Sequence, residues 1–244
     1  MAFLDQLEPF YGTGARNRQG QNLEEFLDAY NPKKYDTPSN TTDIIVVRSA
    51  EKLVRWGQLI QVLMVKRSNH PSIGFWATPG GFVELREDLE EGARRELEEE
   101  TGVSGLPLRQ MRTWGAWQRD PRWRVITTSF LALVEGDLPV QAGDDADEAL
   151  WMDVSLSEKT SKDGETLKNL EETQGIRDIE IWELSLKNSK HGIALHAEVA
   201  VCHRGSGILQ EEEYRLLSSD GIAVDHGCLI TQALLYLKSR LEQS

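Results

Sequence analysis

Three glutamates, Glu96, Glu99 and Glu100, stand three and four residues apart in the stretch Gly81–Val103, GFVELREDLEEGARRELEEETGV. On a helix that spacing stacks the carboxylates on one patch. Like charges so close repel, and a hard divalent cation neutralises them through oxygen ligands. Mg²⁺ suits such a site, with Mn²⁺ as the alternative, because it takes a few carboxylates, keeps several waters and bridges to substrate phosphates. Around the three acids stand further fixed points. Gly80 and Gly81 allow a tight turn that leaves a carbonyl available to a metal. Glu87 is a lone acid in the loop, and Arg95 can reach Glu91 or Glu99 along the helix, or Glu87 before it. The competing reading of a Glu-rich helix is a solvated face, which suits Glu90, Glu91 and Glu98.

The helix that carries these groups has its own signals. Asp88 followed by Glu91 resembles a capped start, and Gly102 suits the left-handed residue that closes a helix. The spacing therefore predicts a helix over residues 89 to 101, with Leu89, Ala93 and Leu97 as its buried stripe. Strands are expected at Thr42–Arg48, at about Gln58–Arg67, at Leu108–Trp114 and at Trp123–Val134, all rich in Ile, Val, Leu or aromatic residues. Farther on, Trp182, Leu184 and Leu186 alternate with polar residues, as do Ile193, Leu195, Ala197, Val199 and Val201, which predicts a long hairpin across 176–203. Ile230, Leu234, Leu237 and Leu241 mark an amphipathic helix from about His226. Near the start, Asn22 with Glu25 predicts a short capped helix bearing Leu23, Phe26, Leu27 and Tyr30 on one face, closed by Pro32.

Two other stretches carry chemistry-bearing residues, each with two readings. Trp117–Arg124, WQRDPRWR, is either a substrate wall, with Arg119 and Arg122 on a diphosphate and Trp117 stacked on a base, or a surface hairpin tip. The run Gly143–Trp151 is an acidic loop entering a short strand; it either supplies a general base, Glu148 first, or is a solvated connection. Asp153–Gln174 reads as a polar linker or exposed helix. Tyr11–Gly14 lacks the third glycine of a dinucleotide loop. His196, Cys202 and His203 lack the spacing and fourth ligand of a zinc site.

Composition narrows the class. The 244 residues are 39% hydrophobic, enough for one generous domain or a domain with an insertion. A formal net charge of −13 argues against nucleic acid as the main ligand. No apolar run is long enough for a membrane span and the N-terminal MAFLDQLEPF is broken by acids and proline, so neither a membrane partner nor a signal peptide is expected. Two cysteines without a CxxC pattern fit a reducing cytoplasm.

Gly81, Glu87, Arg95-Glu96-Leu97, Glu99-Glu100 and Gly102-Val103 together resemble the full Nudix box. Tyr35–Pro38 leading to Thr42-Asp43-Ile44, the turn Lys66–Pro71, Arg119–Arg122 and Asp225-His226 are similar to the Nudix branch of ADP-ribose pyrophosphatases and NAD-metabolism regulators. The resemblance implies an α/β fold, the α/β/α sandwich with a central mixed sheet, here with a β-hairpin region inserted before the C-terminal helix. It divides the chain into an extension at 1–37, a core at 38–154, an insertion at 155–221 read as a dimer arm or lid, and a helix at 222–244 that packs on the core. The regulators' winged helix is not expected here. The implied activity is Mg²⁺-dependent hydrolysis of a nucleoside diphosphate linked to another moiety, ADP-ribose above all, giving AMP and ribose 5-phosphate. Glu96, Glu99 and Glu100 would hold the metal with Glu87 and the Gly81 carbonyl assisting, and Arg67, Arg119, Arg122 and Trp117 would meet the substrate. A cytoplasmic homodimer acting on a small nucleotide is the expected setting. The alternatives are a non-catalytic nucleotide sensor and a house-cleaning pyrophosphohydrolase for nucleoside triphosphates.

Overall fold

The computed structural model describes residues 3–142, 146–159, 176–206 and 208–243. It divides into two compact units, residues 1–37 and 38–244. The first holds a 3-10 turn at Glu8–Phe10 and helix α1, Leu23–Ala29. Asn22 caps α1 as its side chain suggests: its Oδ1 accepts from the Glu25 N–H at 2.8 Å, and its own N–H donates to Glu25 at 2.9 Å. The apolar face expected of α1 buries none of its residues.

The second unit is built on a mixed sheet. Its strands are β1 (Ser39–Ser49), β2 (Ile60–Arg67), β3 (Trp76–Ala77), β4 (Gly80–Phe82), β5 (Arg109–Trp114), β6 (Val125–Glu135), β7 (Ala146–Glu158), β8 (Ile176–Asn188), β9 (Ile193–Ser206) and β10 (Leu209–Asp220). The main path runs β10-β9-β8-β7-β2-β1-β6-β5, with β3 beside β2 and β4 beside β1. β1 and β6 are parallel along eleven paired positions; the other pairings are antiparallel.

Helices cover both faces. Ile44 and Val46 of β1, Leu63 of β2 and Phe130 and Ala132 of β6 meet Ala93 and Leu97 of helix α2, Leu89–Thr101. The alternate residues Ile45, Val47, Val62, Met64 and Leu131 meet Leu229, Ile230, Ala233 and Leu234 of helix α3, His226–Glu242. Strands buried on both faces read as unbroken apolar runs, which is why TDIIVV was legible as a core strand. The arrangement is the expected α/β/α sandwich.

Three expectations need correction. Leu89 is 37% exposed and is no part of the buried stripe, because the first turn of α2 lies beyond the sheet; Gly92 and Thr101 are buried instead. Asp153–Glu158 is neither linker nor helix but the second half of β7, pairing Asp153 with Lys187 through Glu158 with Trp182. The hairpin gains a third strand, β10, so β8–β10 form a meander continuous with the core sheet. Residues 143–145 of the acidic run and 160–174 of the supposed linker lie outside the described residues.

The sheet curls until its two ends meet. Arg112 of β5 donates to the Glu212 carbonyl of β10 at 2.5 Å, and the rings of Trp114 and Tyr214 lie 5.9 Å apart. α3 sits inside the curl. Its first turns are buried on every side, more than an amphipathic pattern predicts, since β8–β10 cover the face that the core sheet does not. Gly227 makes that closeness possible: a Cβ there would stand 2.9 Å from the Ala197 Cβ. No helix among the described residues is long and apolar enough to cross a membrane.

Candidate functional site

The backbone at Pro79–Phe82 fixes the site. Gly80 pairs with Asp43 and Gly81 with Thr42 as β4 runs along β1. Gly80 has φ 154°, and a Cβ on it would stand 2.0 Å from the Thr42 carbonyl oxygen, so only glycine fits. A Cβ on Gly81 would stand 2.4 Å from Glu96 Oε2, so the glycine lets that carboxylate press against the turn. α2 then begins at the Asp88 cap, whose N–H donates to Glu91 at 3.1 Å, and ends at Gly102 with φ 69°. The helix boundaries are those its sequence signals indicate.

Arg95 is the hub. Its Nε and Nη2 hold Glu87 through two bonds of 2.9 Å, Nη1 reaches Glu96 at 2.7 Å and Glu99 at 3.0 Å, and Nη2 also donates to the Phe82 carbonyl at 2.9 Å. All five guanidinium N–H groups are thereby used. Glu87 is held below the ordinary carboxylate range, chiefly by its bonds to Arg95. Glu96 is pushed up by burial, against the pull of Arg95. Glu100, which accepts from the Gly80 N–H at 3.0 Å, is pushed up to about 7 by burial, with the neighbouring charges of Glu96 and Asp43 adding to the effect.

Among the described residues, no three His, Cys, Asp or Glu side chains are gathered to hold an ion as they stand. The expected stack is instead shared out by Arg95, which draws Glu99 to an outward position, 58% exposed. Glu96 and Glu100 still suit a hard divalent cation. Both are desolvated oxygen donors with raised proton affinity, and a carboxylate in that condition gains from a positive partner whether proton or metal.

Glu96 and Glu100 line a cavity of about 370 Å³, within the range of small-molecule sites. Its walls come from the end of β2 and the following turn (Lys66–Pro71), from β4, from Arg119–Arg122 and from the start of α3. Arg67 lines it, with Nε donating to the Pro71 carbonyl at 2.7 Å. Arg122 lines it, gripped by Asp120. Arg119 lines it too, but its side chain is only 8% exposed and makes two 3.0 Å bonds to Asp225, so it braces the wall. Trp117 is 73% exposed and is not part of the lining. Glu148 stands in β7 rather than on a loop; it pairs with Lys66 at 2.9 Å and meets the cavity only through that lysine.

Sequence reading gave one group, Asp43 with His226, no role at the site. Asp43, buried in the middle of β1, accepts from Thr127 Oγ1 at 2.6 Å and lies 3.9 Å from Arg119 and 3.8 Å from His226. His226 Nδ1 accepts from the Thr78 N–H at 3.2 Å, with Thr78 Oγ1 2.9 Å away, which leaves the ring proton on Nε2. The signal was present: an aspartate inside an apolar run is costly unless partnered.

Residues 39–170 match the model of the NUDIX domain. Over 113 residues the chain is 38% identical to the ADPR responsive transcriptional repressor NtrR of Acinetobacter baylyi, and over 108 residues it is 40% identical to an ADP-ribose pyrophosphatase of Methanocaldococcus jannaschii. These segments are 46% and 44% of this chain and span 43% and 63% of the two relatives. Among solved structures, a MutT/nudix family protein of Enterococcus faecalis aligns with 98% of the chain and 76% of its own length, at TM-score 0.62 and 25% identity. The NUDIX domain of Shewanella oneidensis NrtR, crystallised with ADP ribose, aligns with 89% of the chain and 99% of its own length, at TM-score 0.55 and 23% identity. With its box on α2, its sandwich fold and more than half its length matched, the chain belongs to the Nudix family.

Proposed function

We propose that the protein hydrolyses the diphosphate of a nucleoside diphosphate linked to another moiety, ADP-ribose first, with Mg²⁺ as cofactor. The observation that carries this reading is the pair of desolvated carboxylates, Glu96 and Glu100, on the wall of a cavity that also presents Arg67 and Arg122. The 40% identity to an ADP-ribose pyrophosphatase favours that substrate over others. Glu96, Glu99 and Glu100, with Glu87 and the Gly81 carbonyl, would hold the ion; Mn²⁺ would serve in its place. When bound, the metal offsets charge on the diphosphate and acidifies water. The chain's own residues do the rest. Arg95 keeps Glu87 ionised and holds Glu87, Glu96 and Glu99 in register. Arg67 binds phosphate oxygens, Arg122 stands in the same wall, and Arg119, tied to Asp225, keeps that wall in place. Attack by water on one phosphorus breaks the P–O–P bridge, giving AMP and ribose 5-phosphate.

The second reading is a sensor that binds the nucleotide without cleaving it, favoured by the 38% identity to an ADPR-responsive repressor. Incubation with Mg²⁺ and a panel of ADP-ribose, NADH, ADP-glucose, diadenosine polyphosphates and nucleoside triphosphates, followed by product separation, decides. AMP from ADP-ribose at a rate well above the rest supports the hydrolase; pyrophosphate from triphosphates replaces it with the house-cleaning activity; tight binding without turnover replaces it with the sensor. Glu99→Gln should cost at least about a hundredfold in turnover with the fold intact, and near-normal turnover removes Glu99 from the metal set. The reading extends to a cytoplasmic homodimer, which light scattering at twice 27.6 kDa would support and a monomer mass would overturn.

A further inference from the structure

Phe82 directly follows the two glycines of the turn, lines the cavity and is 47% exposed. Among the described residues it belongs to no apolar cluster, and its side chain is left open to the cavity. Above the ring stands Arg122, its guanidinium carbon 5.4 Å from the centroid. That guanidinium is fixed before any ligand arrives. Asp120, whose own side chain is almost fully buried, accepts from Arg122 Nε at 3.0 Å, from Nη2 at 2.8 Å and from the Arg122 backbone N–H at 2.9 Å. The pairing also holds the Asp120 carboxyl below its ordinary range, so the grip persists well into acid.

A planar cation locked in place and backed by an aromatic ring is a surface for a flat, electron-rich ring. With 5.4 Å between guanidinium and phenyl, no third ring fits between them, so a ligand ring must lie on the outer face of the guanidinium. The arginine's Nε/Nη2 edge is committed to Asp120, which leaves its plane, with Nη1 at its rim, as the part on offer. Trp117, the expected stacking group, is outside the cavity; Phe82, Asp120 and Arg122 are all in its wall.

We propose that Phe82 and the Asp120-held Arg122 are the seat of the nucleobase, with the diphosphate running from there toward Glu96 and Glu100. This rests on the nucleotide reading of the cavity and assigns its two ends. Stacking on a guanidinium plane selects by ring area more than by edge groups, so purines are preferred to pyrimidines.

AMP and ribose 5-phosphate, which differ by the base, separate the claim from catalysis. Calorimetric titration of the full chain with each, in Mg²⁺, should give tighter binding of AMP. Phe82→Leu and Arg122→Lys should each weaken AMP about tenfold and leave ribose 5-phosphate within about twofold. Both side chains are partly exposed, and unchanged thermal midpoints would show that the variants are folded. Equal binding of the two ligands by the unaltered protein, unchanged AMP affinity in both variants, or parallel loss of both ligands would each overturn the proposal. AMP binding with the expected losses but no turnover of any substrate would overturn only the hydrolase reading. Turnover of ADP-ribose with KM unmoved in both variants would overturn only the base seat.

Discussion

Replacing Glu100 by glutamine should stabilise the metal-free protein, and more so as pH rises. Burial pushes the carboxyl up to about 7, from 4.5 for an ordinary glutamate. The native state therefore keeps this proton to higher pH than the unfolded chain does. Between pH 4.5 and 7 the native state binds more protons, so stability falls as pH rises through that window. The displacement corresponds to about 3 kcal/mol. Glutamine cannot ionise, yet it still offers an oxygen to the Gly80 N–H. The stability difference, variant minus unaltered protein, should grow from near zero at pH 4.5 to about 3 kcal/mol at pH 8. Urea unfolding in EDTA across pH 5 to 8.5 measures it, and the subtraction cancels the titrating groups that do not interact with Glu100. A flat difference, or one that shrinks with pH, would refute the placement of Glu100 as a desolvated acid. Adding Mg²⁺ provides the complement: below pH 7 its affinity should fall about tenfold per unit, because the ion must displace a proton, and the variant should lose that dependence.

Other substitutions probe the supports of the site. Gly81→Ala would push Glu96 out of its place against the turn, since the added carbon would stand 2.4 Å from Oε2, and calorimetry should show Mg²⁺ affinity reduced at least about tenfold. Gly80→Ala meets backbone at 2.0 Å and should cost more than about 4 kcal/mol, abolishing a cooperative urea transition at 37 °C; an ordinary transition would contradict the close approach of β4 to β1. Arg95→Ala leaves Glu87, Glu96 and Glu99 without their common partner and should cost about 3 kcal/mol, with Mg²⁺ restoring more stability than it gives the unaltered protein. An Mg²⁺-induced shift in Tm no larger than in the unaltered protein would refute Arg95 as the stand-in cation.

How much of this was legible depended on how local each signal is. α2 was read to the residue, because the Asp88 cap, the Glu91 partner and Gly102 each act within one turn of the chain. The Glu96–Glu100 spacing placed both carboxylates on the cavity for the same reason. Which acids Arg95 would claim was not legible, since Glu87, Glu91 and Glu99 all lay within reach and the loop geometry decided. β10, LQEEEYRLLSSD, escaped notice because an edge strand needs only one covered face and tolerates a run of acids on it. The bracing of Arg119 by Asp225 joins residues more than a hundred positions apart, and nothing local announces such a pair. Trp117 was chosen for its ring, yet Phe82 is the aromatic that lines the cavity, a matter of three-dimensional placement that sequence does not carry.

The curl of the sheet around α3 bears on how the chain comes to be made. On a ribosome, β1 through β10 emerge before the helix that fills them. Until residues 226–242 arrive, Ile45, Val47, Val62 and Met64 face an empty hollow, and the β5 and β10 edges lack the surface that draws them together. A nascent sheet in that state is a template for joining another like it. Once α3 docks, each edge shields the other. The interval between the two states, rather than the finished molecule, is where this protein is most exposed to aggregation and most in need of a chaperone.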